Sequence, residues 1–275
     1  MLTAILLLLA APASAQDDAA TKTAKRDLRE MQALLPGIYT NEEQAYFYTT
    51  LDVPDAEHLP RLELIIERDG DGFRATTVSP TGRRTQARLQ YRVEDGAIRS
   101  REIREGQPDC ERSFTREFDS FRGTAIDPTP TCGGVVVASD EGFRFGAPDR
   151  PFDMLRARTF KCWVSPRKED GEYAFYNDLV LHDQGGRVWI EATEAHPRVG
   201  LKMRNVRWPT GVNRDSLVLY TYRGDDPDYA PGYTWTNPEV ERLAINTRWL
   251  QASCTAGKES YLPNIDLKTG SGSGD

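Results

Sequence analysis

The residues best suited to hold a ligand lie between Asn41 and Arg92. Asn41-Glu42-Glu43-Gln44 runs directly into Tyr46, Phe47 and Tyr48. Amides beside aromatic rings can line a cavity mouth and hold a flat, polar molecule. The same residues also suit a helix-capping Asn followed by aromatics packed as core. Arg61, Arg88 and Arg92 offer guanidinium forks for ligand carboxylates, or else solvated charge on an outer face. The three histidines, His58, His182 and His196, lack metal-ligand spacing. His182 precedes Asp183, so a base beside a carboxylate and a satisfied strand-end histidine both remain open. Asp69-Gly70-Asp71-Gly72 reads as a hairpin turn, since a calcium loop needs a further ligand before its glycine. Arg223-Gly224-Asp225 reads as a strand-end turn. No serine sits in a nucleophile elbow, and no phosphate-binding or dinucleotide glycine loop is present. No metal site and no cofactor is expected.

Four cysteines, Cys110, Cys132, Cys162 and Cys254, include no C-x-x-C pair. In an exported protein an even count reads as two disulfides, against four buried thiols as the alternative. Three pairings exist. Cys110–Cys132 and Cys162–Cys254 are favoured because the first pair flanks one hairpin.

Export itself is read from the first residues. Ala4 to Leu9 form an apolar run too short to cross a bilayer, and Ala13-Ser14-Ala15 is a small-residue cleavage site. Residues 1–15 are therefore expected to be a signal peptide, with the mature chain periplasmic or secreted. A formal net charge of -7 opposes nucleic-acid binding, and no other apolar stretch is long enough to span a membrane.

The elements that must position these groups are mainly strands. Residues 16–25 are small and polar and are expected to form a flexible lead. Leu28, Met31 and Leu35 form one stripe, which predicts a helix ended by Pro36-Gly37. Beyond Asn41 the period falls to two. Leu62, Leu64 and Ile66 alternate, and so do Ala87, Leu89, Tyr91 and Val93, with Arg88, Gln90 and Arg92 on the opposite face. Short strands with turn signals continue to residue 223. Asn237-Pro238-Glu239 looks like a helix start, with a strand over 243–251 as the alternative. This pattern predicts a mainly β, mostly antiparallel fold, a barrel or a sandwich, with an N-terminal helix, as one domain over 26–265. A break near residue 150 is the alternative. Residues 266–275 are expected to be a disordered tail.

The stretch Leu34-Leu35-Pro36-Gly37-Ile38-Tyr39-Thr40-Asn41-Glu42-Glu43-Gln44-Ala45 resembles the opening of the CpcT/CpeT chromophore lyases, where a helix and apolar turn precede a Ser/Thr-Asn-x-x-Gln-Ala signature. Further on, Pro108-Asp109-Cys110, Phe121-Arg122-Gly123-Thr124, Cys132 and Val135-Val136-Val137 follow that family's order, with Asp109 where the family has Gly. The likeness covers about residues 26–145. It implies a mainly β fold, an antiparallel lipocalin-like β-barrel with an N-terminal helix, that holds an open-chain tetrapyrrole, a bilin, as substrate and attaches it by a thioether to a cysteine of an acceptor protein. The lyase then needs no reactive thiol of its own. On this reading Arg61, Arg88 and Arg92 pair the propionates, Tyr48 and Tyr91 lie along the pyrrole planes, and Asn41 and Gln44 belong to the binding end. A non-catalytic carrier of a small hydrophobic ligand is the alternative, and a structural envelope protein a third reading. An aromatic-lined lumen with an inward carboxylate favours the lyase, an apolar lumen the carrier, and a packed lumen the structural protein.

Overall fold

The computed structural model describes residues 13–257, apart from 52 and 210. Ten antiparallel strands close into a barrel: β1 (Gly37–Thr40), β2 (Glu63–Asp69), β3 (Gly72–Val78), β4 (Arg84–Glu94), β5 (Ala97–Arg104), β6 (Cys110–Glu117), β7 (Ser120–Ala125), β8 (Val135–Ala138), β9 (Gly142–Ala147) and β10 (Arg150–Arg156). From β2 to β10 each strand pairs with the next, which is the cheapest topology for period-two text broken by short turns. β1 pairs with both β2 and β10 and joins the two ends.

Helix α1 spans Ala13–Leu34, so residues 16–25 are helical and not a flexible lead. Its Ala, Lys, Arg, Gln and Glu content favours helix. Tertiary contact then fixes it: Ala24 and Met31 are buried with Ile98, Phe114 and Phe121, which sit at one end of the barrel interior. Arg116 pairs with Asp27 at 3.2 Å and with Glu30. At the C-terminal end of the helix, the Tyr39 hydroxyl donates to the Leu34 and Leu35 carbonyls at 2.8 and 3.0 Å, satisfying groups that a helix end leaves open. The signal-peptide reading falls mainly outside the described residues, with Ala13 opening α1. The tail over 266–275 lies outside them altogether.

The barrel does not extend over 26–265. Its strands end at Arg156, and residues 159–256 form two further sheets. The strands are β11 (Thr159–Pro166), β12 (Tyr176–His182), β13 (Gln184–Ile190), β14 (Val199–Val206), β15 (Ser216–Arg223), β16 (Gly232–Thr236), β17 (Arg242–Asn246) and β18 (Leu250–Ala256). One sheet has the order β12-β11-β18-β17 and the other β13-β14-β15-β16. Phe160, Val164, Leu250 and Ala252 from the first share a core with Leu201, Met203, Leu217 and Leu219 from the second, which makes this half a sandwich. The expected helix at Asn237–Glu239 does not form: the strand alternative holds, as β17 and β18. Pairing Leu243 with Cys254 and Ile245 with Ala252 buries apolar faces that an exposed helix would have left in water.

Both favoured disulfides are present, and no described cysteine is free. Cys110–Cys132 ties the start of β6 to the β7–β8 loop. Cys162 and Cys254 are direct cross-strand partners in the sandwich. Their sequence separations of 22 and 92 residues rank their effects, because the longer loop removes more entropy from the unfolded chain. Cys162→Ala/Cys254→Ala should therefore cost about 5 kcal/mol and Cys110→Ala/Cys132→Ala about 3 kcal/mol. Guanidinium unfolding of the two double variants checks the order; equal losses would contradict it.

Candidate functional site

The barrel is not packed solid. Its lumen encloses a cavity of about 440 Å³, in the range of small-molecule sites. The lining is graded along the strands. On β4 the inward residues run Val93, Tyr91, Leu89, Ala87 and Thr85, and opposite them on β5 run Ile98, Ser100, Glu102 and Arg104. The end covered by α1 is therefore apolar. The open end carries charge and amides, with Gln86 from β4 and Gln107 from the β5–β6 turn, and Arg112 on β6 stands opposite Ser100 at the level of Tyr91. Phe114, Phe143 and Phe145 supply aromatic wall.

Four polar side chains define the chemistry of this lumen. Arg104 donates to Glu102 at 2.6 Å and also reaches the Gln107 amide oxygen at 3.3 Å. Arg112 is only 8% exposed. It donates to the Gly134 and Gly133 carbonyls at 3.0 and 3.4 Å. Burial works against its charge. Glu102, the carboxylate that favours that charge, is already paired with Arg104. Tyr91 is pushed well above the usual phenol range, by burial first and by Glu102 second, so its hydroxyl stays neutral and can donate. Together they offer a cation, a phenol and a carboxylate above an apolar floor, which suits an amphipathic ligand with an acidic end.

Of the residues selected from the sequence, Tyr91 alone lines this cavity. Arg88 and Arg92 lie on the outer barrel face, paired with Asp71 at 3.2 Å and with Glu94 at 3.1 Å. Inward and outward residues alternate along β4, so Tyr91 and its two arginine neighbours cannot share a face. Asn41 is fully buried and does not cap the next helix, α2 (Glu42–Thr50). It clips the chain before β2 instead: Nδ2 donates to the Pro60 carbonyl at 3.0 Å, and the Leu62 amide donates to Oδ1 at 2.6 Å. Gln44 ties α2 to β10 in the same way, through the Pro151 carbonyl and the Asp153 amide. Tyr48 is 3.3 Å from the Gln44 amide nitrogen and stacks on His58. These contacts fasten α2 to the barrel. Glu102, Arg104 and Arg112 were missed by the sequence reading. Their signal was the alternation of β5 continued past Ile98, and Arg112 spaced two residues from Cys110.

A second polar cluster joins the barrel to the sandwich. Glu42 sits between Arg61 and Lys202, at 2.6 Å from each. Its carboxylate packs against Gly185, where any Cβ would collide at 2.7 Å. Glu43 meets Arg204 at 2.8 Å, Asp183 meets Arg158 at 2.8 Å, and the His182 ring lies 3.2 Å from Glu63. Burial raises Glu42 and Glu63, but their partners outweigh it and hold both carboxyls below the usual range. For Glu43 and Asp183 burial wins, and both lie above that range.

These opposite shifts predict the acid response. A carboxyl held low binds its proton in the unfolded chain first, so its stabilisation is present above the ordinary glutamate value of 4.5 and is lost as pH falls. Glu43 and Asp183 bind protons first in the folded chain and partly offset that loss. Glu63→Gln should cost about 2 kcal/mol at pH 7 by removing a charge-assisted bond to His182. It should also flatten the fall in melting temperature between pH 6 and 3. A variant melting profile parallel to that of the parent would remove Glu63 from the acid response.

No family model, no curated protein and no solved structure matches this chain.

Proposed function

We propose that the barrel holds a small amphipathic molecule in its lumen, and that this ligand is a linear tetrapyrrole destined for a cysteine of an acceptor protein. The observation that carries the proposal is the graded cavity: an aromatic and apolar floor beneath Tyr91, Glu102, Arg104 and Arg112. A bilin has extended flat pyrrole rings, a basic nitrogen system and two propionates. The inward carboxylate of Glu102 suits the protonated rings, and Arg112 suits a propionate. Aromatic wall and an inward carboxylate are also the features that favour this ligand over a purely apolar one. Both disulfides leave the chain without a described free thiol, which is compatible with chemistry whose cysteine belongs to the acceptor.

The protein's part in that chemistry is to hold one conformer and keep water from it, so that only a docked thiolate reaches the bilin. Two disulfides fit an oxidising compartment. With the A-x-A site, they support a periplasmic or secreted protein cleaved after Ala15. Cleavage there would keep Ala24, Asp27 and Met31, the buried residues of α1, in the mature chain. Among the described residues no helix is long and apolar enough to cross a membrane.

Biliverdin or phycocyanobilin added to the purified protein should shift and sharpen the visible absorption band. Arg112→Gln should weaken binding by at least about 1.5 kcal/mol, and Tyr91→Phe by about 1 kcal/mol. Arg88→Gln and Arg92→Gln on the outer face should leave it unchanged. No spectral change with any linear tetrapyrrole, beside tight binding of a fatty acid, would reject the lyase reading and leave a carrier.

A further inference from the structure

The loop between β7 and β8, residues 126–134, belongs to the wall of the lumen. Pro130, Thr131 and Gly133 line the open volume. The β6–β7 hairpin lies at the α1 end of the barrel, where Arg116 meets Asp27, so the loop that follows β7 lies at the open end. Cys132 alone in this loop is buried, and its other residues are exposed. Such a segment has no apolar core of its own to hold it down. Three consecutive residues at the start of β6 do so instead. The Glu111 carbonyl accepts from the Ile126 amide at 2.9 Å. Arg112 donates to the Gly134 and Gly133 carbonyls at 3.0 and 3.4 Å. Cys110 is bonded to Cys132. The disulfide is thus the one covalent tie on the loop, and it supplies the only buried side chain there.

The second disulfide has a different setting. Cys162 and Cys254 join β11 and β18, the two inner strands of their sheet, and belong to the sandwich core with Phe160, Val164 and Leu250. A thiol reaches those sulfurs only when the sandwich opens. Cys110 and Cys132 need much less. Lifting an exposed loop uncovers both, while β7 and β8 stay paired from Phe121–Ala138 to Thr124–Val135. Thiol–disulfide exchange follows access, so the two bonds differ in how readily they are reduced.

We propose that Cys110–Cys132 is a redox latch on the lumen. Oxidised, it holds the β7–β8 loop against Arg112 and keeps the wall closed. A dithiol reductant opens it. One thiolate of the reductant attacks a sulfur of the bond and forms a mixed disulfide, and its second thiol displaces the protein. Both cysteines leave as thiols, carrying the two protons of the dithiol, and the reductant leaves as its own disulfide. The freed loop takes the glycine carbonyls off Arg112, so a lumen ligand enters and leaves faster. The latch rests on the lumen holding a ligand, whichever ligand that is.

Graded dithiothreitol on the full chain, followed by iodoacetamide and peptide mass mapping, tests the order of reduction. Cys110 and Cys132 should be alkylated before Cys162 and Cys254. Anilinonaphthalene sulfonate, an amphipathic anion, is the probe of the lumen, and Arg112→Gln should lower its fluorescence. Protein reduced at the first pair alone should keep the circular dichroism of the parent and release the probe at least about tenfold faster on dilution. Amide hydrogens over 126–134 should also exchange faster, and those of β11 and β18 should not change. Cys110→Ser/Cys132→Ser should match the fast release without reductant. Alkylation of Cys162 or Cys254 first would overturn the latch. Collapse of the dichroism on reduction would do the same, because the bond would then hold the fold and not the loop. Absence of probe binding in the oxidised parent would overturn it as well. Probe binding with an unchanged release rate would overturn the latch alone and leave the ligand proposal standing. Failure of bilins to shift in absorbance leaves the latch standing when the probe still responds.

Discussion

The architecture hangs on β1, four residues long. Gly37–Thr40 pairs with β2 over four positions and with β10 over two, and without it the sheet is an open ribbon with two exposed edges. Each residue around that strand also fixes a different neighbour. Tyr39 satisfies the end of α1 through its hydroxyl and rests edge-on against Phe143 at 4.6 Å. The Thr40 hydroxyl reaches the Gln184 carbonyl in the sandwich at 3.1 Å. Asn41 holds the chain entering β2, and Glu42 and Glu43 hold Lys202 and Arg204. Barrel closure, helix docking and the attachment of the second half are thus properties of one short segment.

Closure explains the character of the lumen. A closed barrel has no edge to protect, so its inward positions can vary along the strand without inviting aggregation. Where α1 covers one end, Ile98, Phe114 and Phe121 are in contact with Met31 and must be apolar. Towards the other end that demand lapses, and β5 passes through Ser100 to Glu102 and Arg104. Gly123 belongs to the same arrangement: a Cβ there would stand 2.5 Å from the Phe114 ring, so the glycine lets that ring lie flat on β7.

The sequence carried the strands and the disulfides but not the lining of the lumen, and the reasons are local. Period-two alternation on β4 separated Tyr91 from Arg88 and Arg92 correctly, yet all three were chosen for one ligand on residue type alone. Asn41 and Gln44 stood out because amides are rare in apolar surroundings. Their partners, the Leu62 amide and the Pro151 carbonyl, are backbone groups that no side-chain pattern announces. Residues 16–25 read as flexible because what fixes them is the barrel: Ala24 is buried against it, and the exposed Ala20 lies 3.0 Å from where a Cβ on Gly96 would stand. Which strands form the barrel and which the sandwich was not legible for a different reason. A barrel strand and a sandwich strand share the same period, and which closes on which is decided by pairings such as Cys162 with Cys254, far apart in the chain.

Buried charge in this molecule is of two kinds. A charge removed from water costs several kcal/mol unless a partner compensates it, and structural burial is therefore expected to be paired. The junction obeys this: Glu42 has Arg61 and Lys202, Glu43 has Arg204, and Asp183 has Arg158. Those groups explain attachment. Arg112 breaks the pattern. Two glycine carbonyls accept from it, its charge is opposed by burial, and the one carboxylate that favours it is engaged with Arg104. A guanidinium held in that condition at the edge of open volume is stabilised by whatever anion enters the lumen. Among the buried charges of the described residues Arg112 is thus the one that lines open volume with carbonyls, and no uncommitted carboxylate, as its partners.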